Sequence, residues 1–360
     1  MIMHVITNFT ASAGAETMLA RLLHGATDER IVVVSLIGVS ERNRRLADNP
    51  RVVYVSLGAA SLTALPGAIL RLARLIRKEQ PDVILCWMYH AMVAGTLAAG
   101  MARHGAPVFW NVRQSLDDPA SLTRSSRVAI AAAKLLSHRP TGIIYNSARA
   151  LDLHRAYGYA NRNAVVIPNG FDLPQLAAPE PRTARRDRYC RPLPPTERSR
   201  NFLQGCRSGG EDPPAGRLFR SRKRARPRQP GGHRADDTSR SSGPRRRSPG
   251  EISDMPAFYQ SIDLLVLSSR TEGFPNVIAE AMSFGKPIVT TDVGDAAAVA
   301  GKAGIAVPAR DPQALADAMR AFLDLPEAEY ARYARTARER IENEYAIAAV
   351  TTKYSEFLMA

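Results

Sequence analysis

The chain has 360 residues, 45% of them hydrophobic and 23% charged, enough for two domains with buried cores at about 150 residues per domain. Collagen, a disulfide miniprotein and a chain disordered throughout are excluded by this composition. The net charge of +15 is local, because residues 181–250 hold 19 Arg and 1 Lys against 6 acidic residues while the other 290 carry 29 basic and 28 acidic side chains.

In chain order, residues 3–8 read as a first strand, followed by a loop at 10–14 and a helix at 15–23. Strands follow at 30–36, 52–56, 82–87, 108–111 and 142–146, with helices between them. A short strand at 165–168 leads into the turn Asn169-Gly170-Phe171-Asp172. Six strands alternating with helices predict a doubly wound parallel sheet. The helix at 65–78 puts Leu65, Ile69, Leu72 and Ile76 on one face, flanked by Arg71, Arg74, Arg77 and Lys78. That stripe serves either the core, with a solvated basic rim, or peripheral contact with anionic lipid.

Residues 181–250 hold ten of the 25 prolines and no apolar periodicity. Three readings compete. A polyanion-binding insert, for RNA or a membrane surface, fits the charge but lacks regularly placed aromatics for stacking bases. A solvated linker of this length is unusual inside a compact protein. The third reading is a stretch translated out of frame. Order resumes near residue 252, with a helical turn at 255–260, a buried strand at 263–267 and a helix at 277–283 closed by Gly285. A strand at 287–291, a strand at 305–307, helices at 313–323 and 327–345, and a closing helix at 347–358 follow. The expected organisation is therefore a first domain at 1–172, a linker at 173–180, the Arg/Pro-rich segment at 181–250, a second domain at 251–345 lacking its opening third, and a terminal helix at 346–360 packing back on the first half.

Cys86, Cys190 and Cys206 match no zinc spacing and build no disulfide framework, so a reducing, cytoplasmic setting is expected. No apolar run reaches the roughly 18 residues of a membrane span, and residues 1–9 are too short and too poor in positive charge for a signal peptide. No cluster of side chains has metal-ligand spacing, so a metal-independent site is expected.

The most specific pattern is Ser268-Ser269-Arg270-Thr271-Glu272-Gly273-Phe274-Pro275-Asn276-Val277-Ile278-Ala279-Glu280, placed after a strand and opening a helix. Gly273 and Pro275 shape a loop whose backbone amides point beyond the sheet's carboxyl edge, as an anion site requires. Carboxylates repel phosphate, so Glu272 and Glu280 accept hydrogen bonds from sugar or ribose hydroxyls, or else are a solvated loop residue and an acid offsetting the helix dipole.

With its neighbours, this run resembles the E-x7-E signature of the retaining GT-B glycosyltransferases of family 4, group 1. The likeness extends to AGAETML (13–19), PDVILCWMYHA (81–91), IYNS (144–147) and VIPNGFD (166–172). It implies two Rossmann-like domains facing across a cleft, with Glu280 on the nucleotide ribose, Glu272 near the donor hexose, and the amides of Gly273, Phe274, Pro275, Asn276 and Val277 along sugar and diphosphate. Gly14 matches the glycine that approaches the donor phosphates, with Ala13 where a second glycine is usual. His90 matches a polar residue touching the transferred sugar, or is a packed histidine at a strand end. Arg113 meets acceptor or phosphate, or forms a surface ion pair. Asn146 and Ser147 read as helix caps.

Members of the family neutralise the departing diphosphate with Gly-Arg-x4-Lys after the first strand of the second domain. Here Gly216-Arg217 and Lys223 are spaced one residue too far apart and follow no strand. Starting at the second base of the Asp187 codon, synonymous codons for residues 187–199 can spell IGIVGRFHPQKD, an apolar strand running into that motif. Residues 218–223 can likewise yield YFVAG. Two compensating frameshifts, one before Asp187 and one near Gly250, are therefore the reading adopted for this segment. The function expected is transfer of a sugar, with retention, from a nucleoside diphosphate co-substrate to a glycan or lipid-linked acceptor in polysaccharide or lipopolysaccharide biosynthesis, without a further cofactor or a specific nucleic acid partner. The expected location is the cytoplasm, with peripheral contact at the inner face of the plasma membrane. A polyanion-binding protein acting through the Arg-rich segment and a catalytically inactive homologue are the rival readings.

Overall fold

The computed structural model describes all residues except 12, 27–29, 118–121, 161–162, 176–253 and 271. The Arg/Pro-rich segment, and with it the frameshift reading, lies outside the described residues. The chain divides into two compact units, one of Met1–Asp172, Thr271–Asn276 and Glu342–Ala360, the other of Leu173–Arg270 and Val277–Ile341.

The first unit is built on seven parallel strands: β1 (Ile2–Ile6), β2 (Ile31–Ser35), β3 (Val52–Ser56), β4 (Val83–Trp87), β5 (Val108–Val112), β6 (Gly142–Tyr145) and β7 (Ala164–Val166). Their order, β3-β2-β1-β4-β5-β6-β7, reverses direction beside β1. Helices α1 (Gly14–His24), α2 (Glu41–Ala47), α3 (Leu65–Glu79), α4 (Tyr89–Ala102), α5 (Arg124–Leu136) and α6 (Ala148–Tyr157) make the crossovers. Every residue of β2 and of β4 is buried, because a parallel sheet is covered on both faces. One core cluster joins α3, α4 and α5 to the sheet through Leu72, Ile76, Met92, Ala98 and Ile130. The other joins α1 and the last helix to the opposite face through Leu19, Leu23, Val350 and Leu358.

The stripe on α3 is thereby resolved as core. Leu72 and Ile76 are fully buried and Leu65 and Ile69 pack beside them, so the lipid reading of that particular stripe is corrected. Two of its basic neighbours are tied down, Arg71 to the carbonyl of Leu57 and Arg77 to that of Ala102.

The described part of the second unit has α7 (Met255–Ser261), β8 (Leu265–Leu267), α8 (Asn276–Ser283), β9 (Ile288–Thr291), α9 (Ala296–Ala300), β10 (Gly304–Val307), α10 (Pro312–Leu323) and α11 (Glu327–Arg340). Its strands pair in parallel in the order β10-β9-β8. Asp254 and Asp311 cap α7 and α10, each accepting from the amide three residues on, with Pro at the start of the helix. Gly285 closes α8 with φ 65°, a conformation that favours glycine. The five-residue α9 is not readable in the sequence, being an Ala/Val run too short to show a period.

One predicted helix, 327–345, is interrupted. Its α-helical part ends at Arg340 and continues as a π turn over Ile341–Tyr345. From Glu342 on the chain belongs to the first unit, where the Phe171 amide donates to the Tyr345 carbonyl and the Ile347 amide to the Phe171 carbonyl. The final helix, α12 (Ile347–Met359), then runs along the first unit, where Tyr354 stacks on Trp87 and its hydroxyl accepts from the Asn111 side chain at 2.8 Å.

Candidate functional site

In the first unit the chemistry gathers at the carboxyl edge of the sheet. Helix α1 starts at Gly14 after Ala13, whose side chain offers no cap. A Cβ at Gly14 would stand 2.9 Å from the Asn276 side-chain nitrogen, so a larger residue there would push the Asn276 amide aside. On α1, Glu16 is buried with its Oε2 unpartnered, and burial raises its pKa against the pull of the Ala13 and Glu16 amides.

Asn276 is held from its other side. The Asn169 amide nitrogen donates to Asn276 Oδ1 at 2.6 Å, and Arg113 Nη1 donates to Asn169 Oδ1 at 2.9 Å and to the Ile167 carbonyl at 3.2 Å. The Arg113 guanidinium lies 5.5 Å from the ring centres of both Trp87 and Tyr354. It has no carboxylate partner among the described residues, which corrects the surface ion pair expected for it. Burial brings its pKa down to about 9, so it is still a cation at neutral pH. Behind it, Trp87 Nε1 donates to His4 Nδ1 at 3.1 Å. Burial lowers His4 to about 4, so the ring is neutral with its proton on Nε2.

Phe274 stacks on Phe171 at 6.1 Å and tilts against Tyr345 at 6.0 Å. Pro275 is buried, while Glu272, Gly273 and Asn276 are half-buried. Gly273 is not demanded by the chain's own packing, since a Cβ there would meet the Ser115 amide at 3.6 Å and its hydroxyl at 3.9 Å, both ordinary contacts. His90 sits on the first turn of α4 rather than at the strand end, just after Met88, whose φ of 69° marks a strained junction. Its Nε2 is 2.8 Å from Ser125 Oγ on α5, and burial lowers its pKa, partly offset by Ser125.

In the second unit, Glu280 lies on α8 beyond the first turn, so the dipole-offsetting reading is corrected. It accepts from Tyr259 at 2.9 Å. Val277 is half-buried at the start of the same helix. Ser268 and Ser269 are buried below the loop, and Thr291 Oγ donates to the Ser269 carbonyl at 2.6 Å. Ser147 caps α6 by accepting from the Ala150 amide, whereas Asn146 caps nothing and keeps a buried Oδ1 without a partner. Among the described residues no three His, Cys, Asp or Glu side chains are grouped to hold a metal ion, and no helix is long and apolar enough to cross a membrane.

Sequence reasoning did not single out Asn169 or Ser125. Asn169 sits in a Pro-Asn-Gly turn whose composition explains the turn equally well, and Ser125 follows an unremarkable helix start.

A seven-stranded doubly wound sheet and a second, three-stranded parallel sheet define an α/β protein of GT-B fold. The chain matches the Glycosyltransferase Family 4 model over residues 12–175 and the Glycosyl transferases group 1 model over residues 228–324. It belongs to the group 1 glycosyltransferases of family 4. It is 40% identical over 111 residues to the lipopolysaccharide core biosynthesis mannosyltransferase LpsB of Rhizobium meliloti (strain 1021), a stretch covering 28% of this chain and 32% of that protein. It is 32% identical over 115 residues to the putative colanic acid biosynthesis glycosyltransferase WcaL of Escherichia coli (strain K12), covering 30% and 28%. The chain thus spans about a third or less of the length of these curated relatives. In structure it is similar to Anabaena Alr3699/HepE in complex with UDP and glucose, with a TM-score of 0.76, 18% identity and coverage of 100% and 99%. The apo form of the lipopolysaccharide outer core galactosyltransferase WaaB gives 0.72 and 12%, with 99% of each chain covered. Identities this low show the fold alone.

Proposed function

We propose that this protein transfers a sugar from a nucleoside diphosphate to a hydroxyl of a glycan or lipid-linked acceptor, with retention of anomeric configuration, in polysaccharide or lipopolysaccharide biosynthesis. The observation that carries it is the approach of Asn276, at the tip of the Glu272–Glu280 run, to Gly14 at the open end of α1. A side chain on residue 14 would displace the Asn276 amide, and a helix N-terminus suits a diphosphate. The names of relatives that build lipopolysaccharide and colanic acid, and of a structural neighbour complexed with UDP, support the same reading.

In this reading Glu280 binds the ribose, Glu272 and His90 face the transferred sugar, and the amides of Gly273 through Val277 follow the sugar and diphosphate. Catalysis comes chiefly from orientation and from stabilising the leaving diphosphate. The nucleotide sugar is a co-substrate and no separate cofactor is invoked. Arg113 acts on donor or acceptor through Asn169 rather than by touching a phosphate. The cationic clamp expected from Gly-Arg-x4-Lys belongs to residues 181–250, which we read as translated out of frame, so the chain as written turns over slowly and the restored frame restores the rate.

A panel of UDP- and GDP-sugars tests the reading. The restored frame is expected to hydrolyse at least one donor, with Glu280→Gln slowing it about a hundredfold. Absence of hydrolysis and of any donor-induced thermal shift in that protein refutes the proposal. Sequencing the codons of residues 172–255 checks the frame, and codons incompatible with the shifted strings refute that part alone.

A further inference from the structure

Three side chains of the first unit, Arg113, Asn169 and Asn276, form a line of hydrogen bonds whose direction is fixed at one end. Arg113 lies between the rings of Trp87 and Tyr354, and its Nε and Nη2 are buried without a partner among the described residues. A cation there is costly, and a methionine would fill the same space at less cost. What an arginine does that methionine does not is donate, and it never accepts.

The polarity of both amides follows. Arg113 Nη1 meets an oxygen of Asn169 at 2.9 Å, so the Asn169 nitrogen is turned to Asn276, which answers with its own oxygen at 2.6 Å. Asn276 Nδ2 is thereby directed at the tip of α1, 2.9 Å from where a Cβ on Gly14 would stand, and has no acceptor among the described residues. Turning over either amide, or both, sets a donor against a donor. The backbone beside Asn169 is held as firmly. The Gly170 amide donates to Met18 Sδ and its carbonyl accepts from Arg21, each at 3.1 Å. A Cβ on Gly170 would stand 3.0 Å from the Ile347 Cα of α12, so the turn packs against that helix.

A sugar hydroxyl both donates and accepts, and gains nothing from a neighbour of fixed polarity. An ionised phosphate oxygen only accepts, and a group locked as a donor suits it. Bonds that start at a cation also polarise each amide in the same sense, which strengthens the last N–H as a donor. We propose that Arg113 and Asn169 are positioning residues that hold the Asn276 side-chain N–H toward the tip of α1, where it donates to a diphosphate oxygen of the nucleotide sugar. This role rests on the proposed transfer from a nucleoside diphosphate, and adds to the backbone amides of the loop a side-chain contact whose direction is set from behind.

The test is Asn169→Asp, which keeps the shape and reverses the line. One carboxylate oxygen takes the Arg113 bond and the other faces Asn276, whose amide must turn its nitrogen inward and its carbonyl to the tip of α1. In the full chain the tryptophan-detected urea midpoint is expected to rise, because a buried cation gains a counter-charge. The side-chain amide protons of Asn276 are expected to exchange about tenfold more slowly than in the parent. Binding of UDP or GDP, whichever the restored frame binds tighter, is followed by calorimetry. It is expected to weaken about fiftyfold in Asn169→Asp, about tenfold in Asn276→Ala and about threefold in Asn169→Ala. A role confined to packing predicts the opposite order at residue 169, with Ala worse than Asp. Asn276→Ala, at a half-buried position, decides the matter if Asn169→Asp does not fold. Either of these two variants binding the nucleotide as tightly as the parent overturns the proposal and leaves the transferase reading standing, and so does unchanged exchange of the Asn276 protons. Failure of the parent to bind either nucleotide removes the transferase reading and the proposal with it.

Discussion

The two units hold their sheets differently. The large sheet of the first is sealed on both faces, and one of the two covering layers includes α12, which arrives from the far end of the chain. In the described part of the second, three strands are joined to α10 by a cluster of Leu264, Val266, Val289, Val307, Leu315, Ala318 and Phe322, all within sixty residues of one another. Stability of the amino half therefore depends on residues near position 350, whereas that of the second sheet's cluster is local.

Both tryptophans, Trp87 and Trp110, belong to the first unit, so their fluorescence reports that unit alone and can break the comparison. Tyr354→Ala removes a buried ring stacked on Trp87, and is expected to destabilise the tryptophan-detected transition by about 3–5 kcal/mol. Tyr354→Phe keeps the ring but strands the Asn111 amide, at a cost of about 1–3 kcal/mol. Equal stability of Tyr354→Ala and the parent in urea would show that α12 is not part of the first unit's core.

Acid sharpens the same contrast. Burial depresses His4 and His154 to about 4, below the ordinary 6.5 of an unfolded chain. Between those values the unfolded state binds protons that the folded state does not, so stability is present above pH 6.5 and is lost as the pH falls toward 4. At pH 5 each group contributes a loss of about 2 kcal/mol. The described residues of the second unit include no histidine. The tryptophan-detected urea midpoint is thus expected to drop between pH 7 and pH 5, and to drop less in His4→Gln; a midpoint that stays level contradicts the buried neutral rings.

The smallest effect concerns the loop at 272–276. Asn169→Ala removes the 2.6 Å bond to Asn276 and one acceptor of Arg113, worth about 1 kcal/mol locally. Amide exchange of the loop is expected to quicken about fivefold, with the global transition unmoved. Unchanged exchange would mean that the loop is held by Phe274 stacking on Phe171 instead.

Much of the fold was legible because parallel strands buried on both faces read as apolar runs and their helices as periodic ones. β3 was located to the residue, and α10 and α12 to within one residue at each end. The π turn after Arg340 was not legible, nor was the bridge that follows it, whose partner Phe171 is far away in sequence. The E-x7-E run marked Glu272 and Glu280 as a pair, yet the residues up to Asn276 settle with the first unit and Glu280 with the second.

By itself the sequence determined the alternation of strands and helices, the confinement of excess charge to 181–250, and the motif that marks the family, because these depend on local pattern. The tertiary structure decided which cation is buried and which apolar side chains stay in solvent. Arg113 lost its surface ion pair to two aromatic rings, and Val128 and Leu135 were left outside the core. Helical periodicity fixes which residues share a face, but only packing against the sheet selects the face that is buried.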